Sequence, residues 1–368
     1  MKAEVFEGLA GLAHCEADWR ALQAQRSVPA HHLEYDVVHA ALTWLDDAPE
    51  QNLIVRVSDA GVCVALLRLA PRERRIFRML RVRALEVPTY TEFRYQDLLL
   101  LPGSDAAAVW SALGRALAAR GQRWDALTSL VAPDGGGFEA LAASLPWRAR
   151  VVGGMVGFEQ ALHFDTRHSH VDLSARFAPL LTKNLAIGWR RVRRTTDWEL
   201  LCVPGEAAQL WAFDELCRVE SSGWKGPSGS DCAIGFSGPV WEFNRALFLL
   251  RSPRCRGEMH LLRIDGAVVA ALLCLVVGRA RFALKQGFDA AQRRFGAGQL
   301  LLDETLQLSC ADPDIDELNL VGNETWLRDW HADGRPVHDY MLLRNRALAL
   351  GWQFLAGLRR RLRGTGRR

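Results

Sequence analysis

The sequence predicts an α/β fold made of two units in tandem, each a mixed, mainly antiparallel sheet flanked by helices. Three observations carry that reading. The chain has 368 residues, 49% of them hydrophobic, enough for two cores rather than one. Hydrophobic periodicity runs through one series twice: helices, an antiparallel strand set, a helix and a strand. Between the two runs lies a polar segment, ALHFDTRHSHVDLSARF at residues 161–177. The first unit is therefore placed at residues 1–165 and the second at 166–350, leaving 351–368 as a basic C-terminal tail.

In the first unit, residues 16–26 and 35–46 repeat apolar positions at helical spacing. NLIVRVSD, GVCVALLRLA and IFRMLRVRALEV read as strands joined by polar turns. AAAVWSALGRALAARG is a helix stopped by Gly121, and WDALTSLVA is a strand. The second unit opens with a basic amphipathic stretch, APLLTKNLAIGWRRVRRT, followed by the strand WELLCV and the helix EAAQLWAFDELCRVES. After the glycine-rich loop SSGWKGPSGS and a helix near 239–251 come EMHLLRID and AVVAALLCLVVG, joined at Asp265-Gly266, a strong hairpin signal. RARFALKQGF continues as a third strand, GQLLLDETLQLSC as a helix and IDELNLVG as a further strand.

Composition excludes several classes. Net charge is +4 and basic residues are spread along the sequence, apart from the terminal RRRLRGTGRR, so no dedicated nucleic-acid surface is expected. The eight cysteines show no C-x-x-C pair and no histidine at ligand spacing, as expected of reduced thiols in a cytoplasmic protein without a structural metal. Glu4 and Glu7 stand where a secretory signal would be basic and then apolar, and the longest apolar run, residues 267–277, is too short to span a bilayer. Lysine is rare, at Lys2, Lys183, Lys225 and Lys285 only, against 42 arginines.

One short run points to chemistry. Arg293-Arg294-Phe295-Gly296-Ala297-Gly298 fits (Arg/Gln)-x-x-Gly-x-Gly between a predicted strand and a predicted helix. The pattern alone is weak, with about 0.4 chance matches expected in this composition, and Arg361–Gly366 fits it too with no room for a helix after it. Position distinguishes the first: a helix start offers free N–H groups to an anion, the glycines let it approach, and two arginines add charge. No G-K-[ST] follows, and the preceding strands are hairpin-linked, which argues against a nucleoside-triphosphate loop and a dinucleotide fold.

A strand, R/Q-x-x-G-x-G/A, a helix and a strand resembles the acyl-coenzyme A signature of the GNAT acetyltransferases. SARFAPLLTKNLAIGWRRVRR, VESSGWKGPSG and the block Met259 to Trp330 resemble the CelD-like branch, associated with cellulose and exopolysaccharide biosynthesis and similar in architecture to the FemAB-type transferases. The resemblance covers residues 171–345 and implies a degenerate first GNAT-like unit, an acetyl-CoA or other acyl-CoA donor, no metal, and a sugar or polysaccharide-precursor acceptor handled beside polysaccharide-biosynthesis machinery. It also implies that Phe295, Gly296, Ala297 and Gly298 hold the pyrophosphate through backbone N–H groups, with Arg293 and Arg294 as charge partners. Ala283 to Gln286 would hold the pantetheine arm and polarise the thioester carbonyl. Where such proteins carry an aromatic-lysine pair, this chain has Trp326-Leu327 followed by Arg328. Two rival functions are an aminoacyl transferase using charged transfer RNA and a non-catalytic scaffold.

Direct transfer needs a base for the acceptor and a proton for the leaving thiolate. Glu220, two residues before the Gly223-Trp224-Lys225-Gly226 loop, is a candidate base, with an exposed helix-end carboxylate as the plain alternative. Lys285 lies on the strand before the cradle, where alternation places Phe282, Leu284 and Gln286 on one face and Ala283 and Lys285 on the other. Tyr340 is a candidate acid or a packed strand residue, and Lys225 an anion ligand or a solvated loop cation. Asn319 and Asn323 would orient an acceptor sugar. Trp224, Trp326 and Trp330 would stack on it or pack in the core.

Overall fold

The computed structural model describes residues 1–26, 28–76, 80–88, 97–120, 124–133, 160–223, 225–227, 229–230, 232–322 and 324–343, with single residues at 90, 95, 137, 347, 350, 351 and 354. The chain divides into two compact units, Met1–Ser27, His32–Glu159 and Pro336–Arg368 in one and Val28–His31 and Gln160–Arg335 in the other.

The first unit contains β1 (Lys2–Glu7), α1 (Gly8–His14), α2 (Glu16–Ala24), α3 (Tyr35–Trp44), β2 (Leu53–Asp59), β3 (Val62–Ile76), β4 (Leu80–Glu86), β5 (Leu99–Leu100), α4 (Ala106–Ala119) and β6 (Ala126–Pro133). Its sheet runs β1-β2-β3-β4-β6, with β5 beside β3, and continues to β13 (Asp333–Leu343) through pairs from Val337 to Leu343. All pairs are antiparallel except β4 with β6, which α4 separates in sequence. Val109, Leu113 and Leu117 of α4 pack on Val55, Leu67, Leu85 and Leu127.

The second unit contains β7 (Gln160–Asp165), α5 (His170–Ser174), α6 (Pro179–Val192), β8 (Trp198–Pro204), α7 (Leu210–Ser221), α8 (Gly238–Phe248), β9 (Cys255–Ile264), β10 (Ala267–Val277), β11 (Ala280–Phe288), α9 (Ala297–Ala311) and β12 (Glu317–Asn319). Strand order is β7-β12-β11-β10-β9-β8, antiparallel throughout except β11 with β12. The Asp265-Gly266 turn forms as its sequence requires, both residues at positive φ (50° and 80°). Both faces of this sheet are covered. Leu185 of α6 and Leu300 of α9 lie on one face with Leu272 and Leu318, while Phe213 and Leu216 of α7 and Phe248 of α8 lie on the other with Leu261 and Leu273. Double cover explains why β10 is an unbroken apolar run buried from its second residue to its last. No helix among the described residues is long and apolar enough to cross a membrane.

The segment 161–177, expected as a polar joint, instead holds β7 and α5. Leu162 and Phe164 of β7 are buried in the α9-side core while His163 and Asp165 alternate with them, so a half-buried strand passed for a linker. β1 and α1 also escaped the sequence reading. Most of the tail, Arg361–Gly366 included, lies outside the described residues.

Candidate active site

β11 and β12 pair over three residues only, Ala280–Phe282 against Glu317–Asn319. β11 then runs on from Ala283 to Phe288 with no strand on that edge among the described residues, leaving its backbone groups to an extended ligand. Along this stretch the register with β10 slips: Lys285 faces Leu273, Ala283 faces Cys274, and Leu284 is bulged between them. The bulge overturns the expected alternation. Residues directly opposite in a sheet share a face, so Lys285 joins Phe282 on the α7–α8 side with Leu273, and Gln286 joins Ala283 on the α9 side.

The expected cradle sits at the end of this strand. Asp289 accepts from the Ala291 N–H at 2.9 Å and opens a short 3-10 turn, Ala290–Phe295, that leads into α9. Gly296 caps α9 at φ 68° with no side-chain cap. A Cβ there would meet nothing within 4 Å, so glycine is required by backbone conformation rather than by space. The first N–H groups of α9, at Ala297 and Gly298, have no earlier helical carbonyl to bond. Gln286 Nε2 donates to the Gly298 carbonyl at 2.6 Å and ties the bulged strand to the helix start. Phe295 and Ala297 are buried, and the Arg294 guanidinium lies 4.7 Å from the Phe295 ring centre.

α6 holds this loop from behind, a support the sequence reading missed. Arg191 donates to the Arg294 carbonyl, and a Cβ on Gly188 would stand 2.6 Å from the Phe295 carbonyl oxygen. Asp303 of α9 accepts from Trp189 Nε1 at 3.4 Å and pairs with His170 Nε2 at 2.9 Å, a bond that raises the His170 pKa.

Glu220 is not an exposed helix end: it is 3% exposed. One oxygen pairs with Lys225 Nζ at 2.6 Å and the other accepts the Ile234 N–H at 2.8 Å. Lys225 also reaches the Gln286 carbonyl at 3.4 Å, and a Cβ on Gly287 would fall 2.7 Å from the Glu220 nitrogen. The pair therefore fastens the glycine-rich loop and α7 to β11. Asn319 is buried, with its amide donating to Glu317 at 2.9 Å and its carbonyl oxygen accepting the Val321 N–H at 2.9 Å. Trp330 is fully buried, 5.0 Å from Phe177, while Trp326 is exposed. Tyr340 lies opposite Ser129 of β6, with its side chain outside the described residues. Trp224 and Asn323 lie outside them altogether.

Two further groups escaped the sequence reading. His163 pairs across β7–β12 with Asn319, its Nδ1 is buried without a hydrogen-bond partner, and burial lowers its pKa, with Arg335 adding to the effect. Val321, one residue past Leu320, stands at φ 57°, a conformation a β-branched residue rarely adopts. Elsewhere in the unit, Cys202, Glu258 and His260 bring their ligand atoms within 4.8 Å of one another, although nothing in their spacing announced it. The buried Arg281 guanidinium supplies the positive charge beside them, 2.5 Å from Glu258. Burial works to raise the Glu258 pKa, and His260 and Arg281 outweigh it, bringing it to about 2.

Residues 181–353, which run from α6 through the bulged strand, the loop and α9, match the family described as acetyltransferase (GNAT) domain. No curated protein matches the chain in sequence. Among solved structures, FemX is similar over 97% of this chain and 100% of its own, at 11% identity and TM-score 0.56. The C-terminal domain of a protein named as a lysylphosphatidylglycerol synthetase, from Agrobacterium fabrum, is similar over 92% of this chain and 94% of its own, at 14% identity and TM-score 0.54. A conserved protein of unknown function from Bacteroides thetaiotaomicron covers 88% and 96%, at 12% identity and TM-score 0.53. These likenesses are of fold, and they span both units. The fold is two tandem GNAT-like units, the second of which carries the match to the acetyltransferase domain.

Proposed function

We propose that the protein transfers an acyl group, acetyl in the first instance, from acyl-coenzyme A directly to an amino or hydroxyl group of a sugar or polysaccharide precursor, as in the CelD-like branch, in the cytoplasm beside polysaccharide-biosynthesis machinery. One observation carries the donor half: the bulged, parted strand β11 leads straight into an uncapped helix start flanked by Arg293 and Arg294. An extended pantetheine arm suits the free edge of β11, and a diphosphate suits the N–H groups of Ala297 and Gly298 in the Phe295–Gly298 cradle. The acceptor half rests on the family resemblance alone.

In this reading the acceptor heteroatom attacks the thioester carbon, forming the C–N or C–O bond, and the C–S bond breaks. Backbone N–H groups at the Leu284 bulge stabilise the oxyanion in between. The acceptor loses its proton to His163, which the lowered pKa keeps neutral at pH 7. The thiolate leaves with the coenzyme and takes a proton from solvent, and His163 returns the acceptor's proton to solvent. Glu220, closed into its pair with Lys225 and the Ile234 N–H, is assigned to positioning β11 rather than to taking the proton. Lys285, Trp224 and Asn323 are assigned to the acceptor side.

The test is calorimetry with acetyl-coenzyme A and free coenzyme A, followed by free-thiol release against a panel of amino sugars. Sub-millimolar binding and acceptor-dependent thiol release are expected. Absence of coenzyme binding would sink the reading.

A further inference from the structure

The arginines of this chain are scattered in sequence but not in their partners. Arg20, Arg56, Arg83, Arg167, Arg176, Arg218, Arg279, Arg281 and Arg335 each have a carboxylate within 4.0 Å. Arg190, Arg191, Arg193 and Arg194, at the C-terminal end of α6, have none among the described residues, and neither do Arg293 and Arg294 on the loop that α6 supports. A groove of about 510 Å³ opens on this surface, lined by Ala186, Trp189, Arg190, Arg193 and Arg194 and by no carboxylate. Trp189 is fixed there by its bond to Asp303 and lies 5.4 Å from the Trp198 ring.

Favourable charge at a helix C-terminus explains one or two cations in the last turn. It does not explain four, nor a fifth and sixth on a separate loop that Arg191 pulls against the same helix. Like charges held together without counter-charges store repulsion that an anion relieves. Leu181, Leu185 and Val192 of α6 are buried in the core and Leu180 alone of its large apolar residues is exposed, so the helix has no continuous apolar face to lay into a lipid surface. Arg190 and Arg194, four residues apart, and Arg193 share one side of the helix. Their planar forks suit the oxygens of a phosphate, and an indole floor suits a ring.

We infer that the α6 groove is a second anion subsite, distinct from the diphosphate cradle, that takes a phosphomonoester carried on or beside a ring. The phosphate comes either from the nucleotide end of the donor or from a phosphorylated sugar acceptor. The donor arm rests on the coenzyme reading above; the acceptor arm does not.

Calorimetry on the full chain separates them. Wild type and the double variant Arg193→Ser/Arg194→Ser are titrated with acetyl-coenzyme A, acetyl-3′-dephospho-coenzyme A and glucose 1-phosphate, after a thermal melt shows that both fold alike. If the phosphate is the donor's, the variant weakens acetyl-coenzyme A at least tenfold and leaves the dephospho form unchanged. If it is the acceptor's, both coenzymes bind as in wild type and glucose 1-phosphate binding is lost. The inference is overturned if the variant binds all three ligands as wild type does, or if wild type binds neither glucose 1-phosphate nor the 3′-phosphate, seen as equal affinity for the two coenzymes. Failure of both coenzymes to bind wild type would defeat the coenzyme reading while the glucose 1-phosphate arm still decides the groove.

Discussion

The two units draw the same supersecondary figure, a strand, a helix and a parallel strand, and differ at every point that would matter to a donor. In the first, β4 meets β6 over Ala84–Glu86, its last three residues, so no part of β4 runs past the pairing. In the second, β11 meets β12 over its first three residues and then runs free. β3 and β4 pair without a slip, whereas β11 is bulged at Leu284. The helix starts differ most. α4 begins at Asp105, whose carboxylate accepts from Ala107 and Ala108 at 3.0 and 3.1 Å, and so already carries an anion of its own. α9 begins at a bare Gly296 beside two arginines. The crossover is common to both units; the opening, the bulge and the uncapped helix belong to one.

Breaking that contrast gives the largest expected effects. Gly298→Asp places a carboxylate at the α9 start, as Asp105 does in α4. Space permits it, since a Cβ meets Phe288 at 3.4 Å and Gln286 at 3.7 Å. Coenzyme A affinity should fall about 100-fold with little change in Tm, because a fixed like charge displaces the diphosphate. Next is Arg281→Met, which leaves Glu258 buried without its partner and should cost about 3–5 kcal/mol in denaturant melts. The same pair sets an acid limit. The Glu258 pKa is lowered to about 2 in the folded protein, so its stabilisation is complete above the ordinary carboxylate range and is lost as pH falls through it toward 2. Gly188→Ala should loosen the loop without touching it chemically, raising the donor Kd roughly tenfold, about 1.4 kcal/mol, while kcat holds. His163→Gln should remove the acid limb of the kcat/KM profile below pH 6.5, which wild type shows as the imidazole protonates. A merely structural histidine would lower the curve without changing its shape. The smallest effect is Asp105→Ala, about 1 kcal/mol of stability lost with its cap and no change in donor binding.

Much of this contrast could be read from the chain. Asp265-Gly266, the apolar run of β10 and the Arg293–Gly298 pattern each obey local rules that the structure follows, as does Asp105 before its alanine run. What could not be read depends on residues far apart in sequence. Alternation along RFALKQGF misplaced Lys285 because nothing local marks Leu284 as a bulge; its pairing with β10 does. Glu220 looked solvent-exposed at a helix end, and only the return of Lys225 and Ile234 over it shows a buried clamp. His163 was hidden in a stretch whose polar residues masked a strand. The basic run Arg190–Arg194 was visible in the chain, but not that no described carboxylate from another element comes to it, as one does to Arg20, Arg56 and Arg176.

The central claim is that the second unit alone holds the donor, through the start of α9. Calorimetric titration of coenzyme A into wild type, Gly298→Asp and Asp105→Ala tests it most directly. The expected result is one site per chain in wild type and in Asp105→Ala, and none at the same concentrations in Gly298→Asp. Two sites per chain, or a Gly298→Asp isotherm matching wild type, would contradict it.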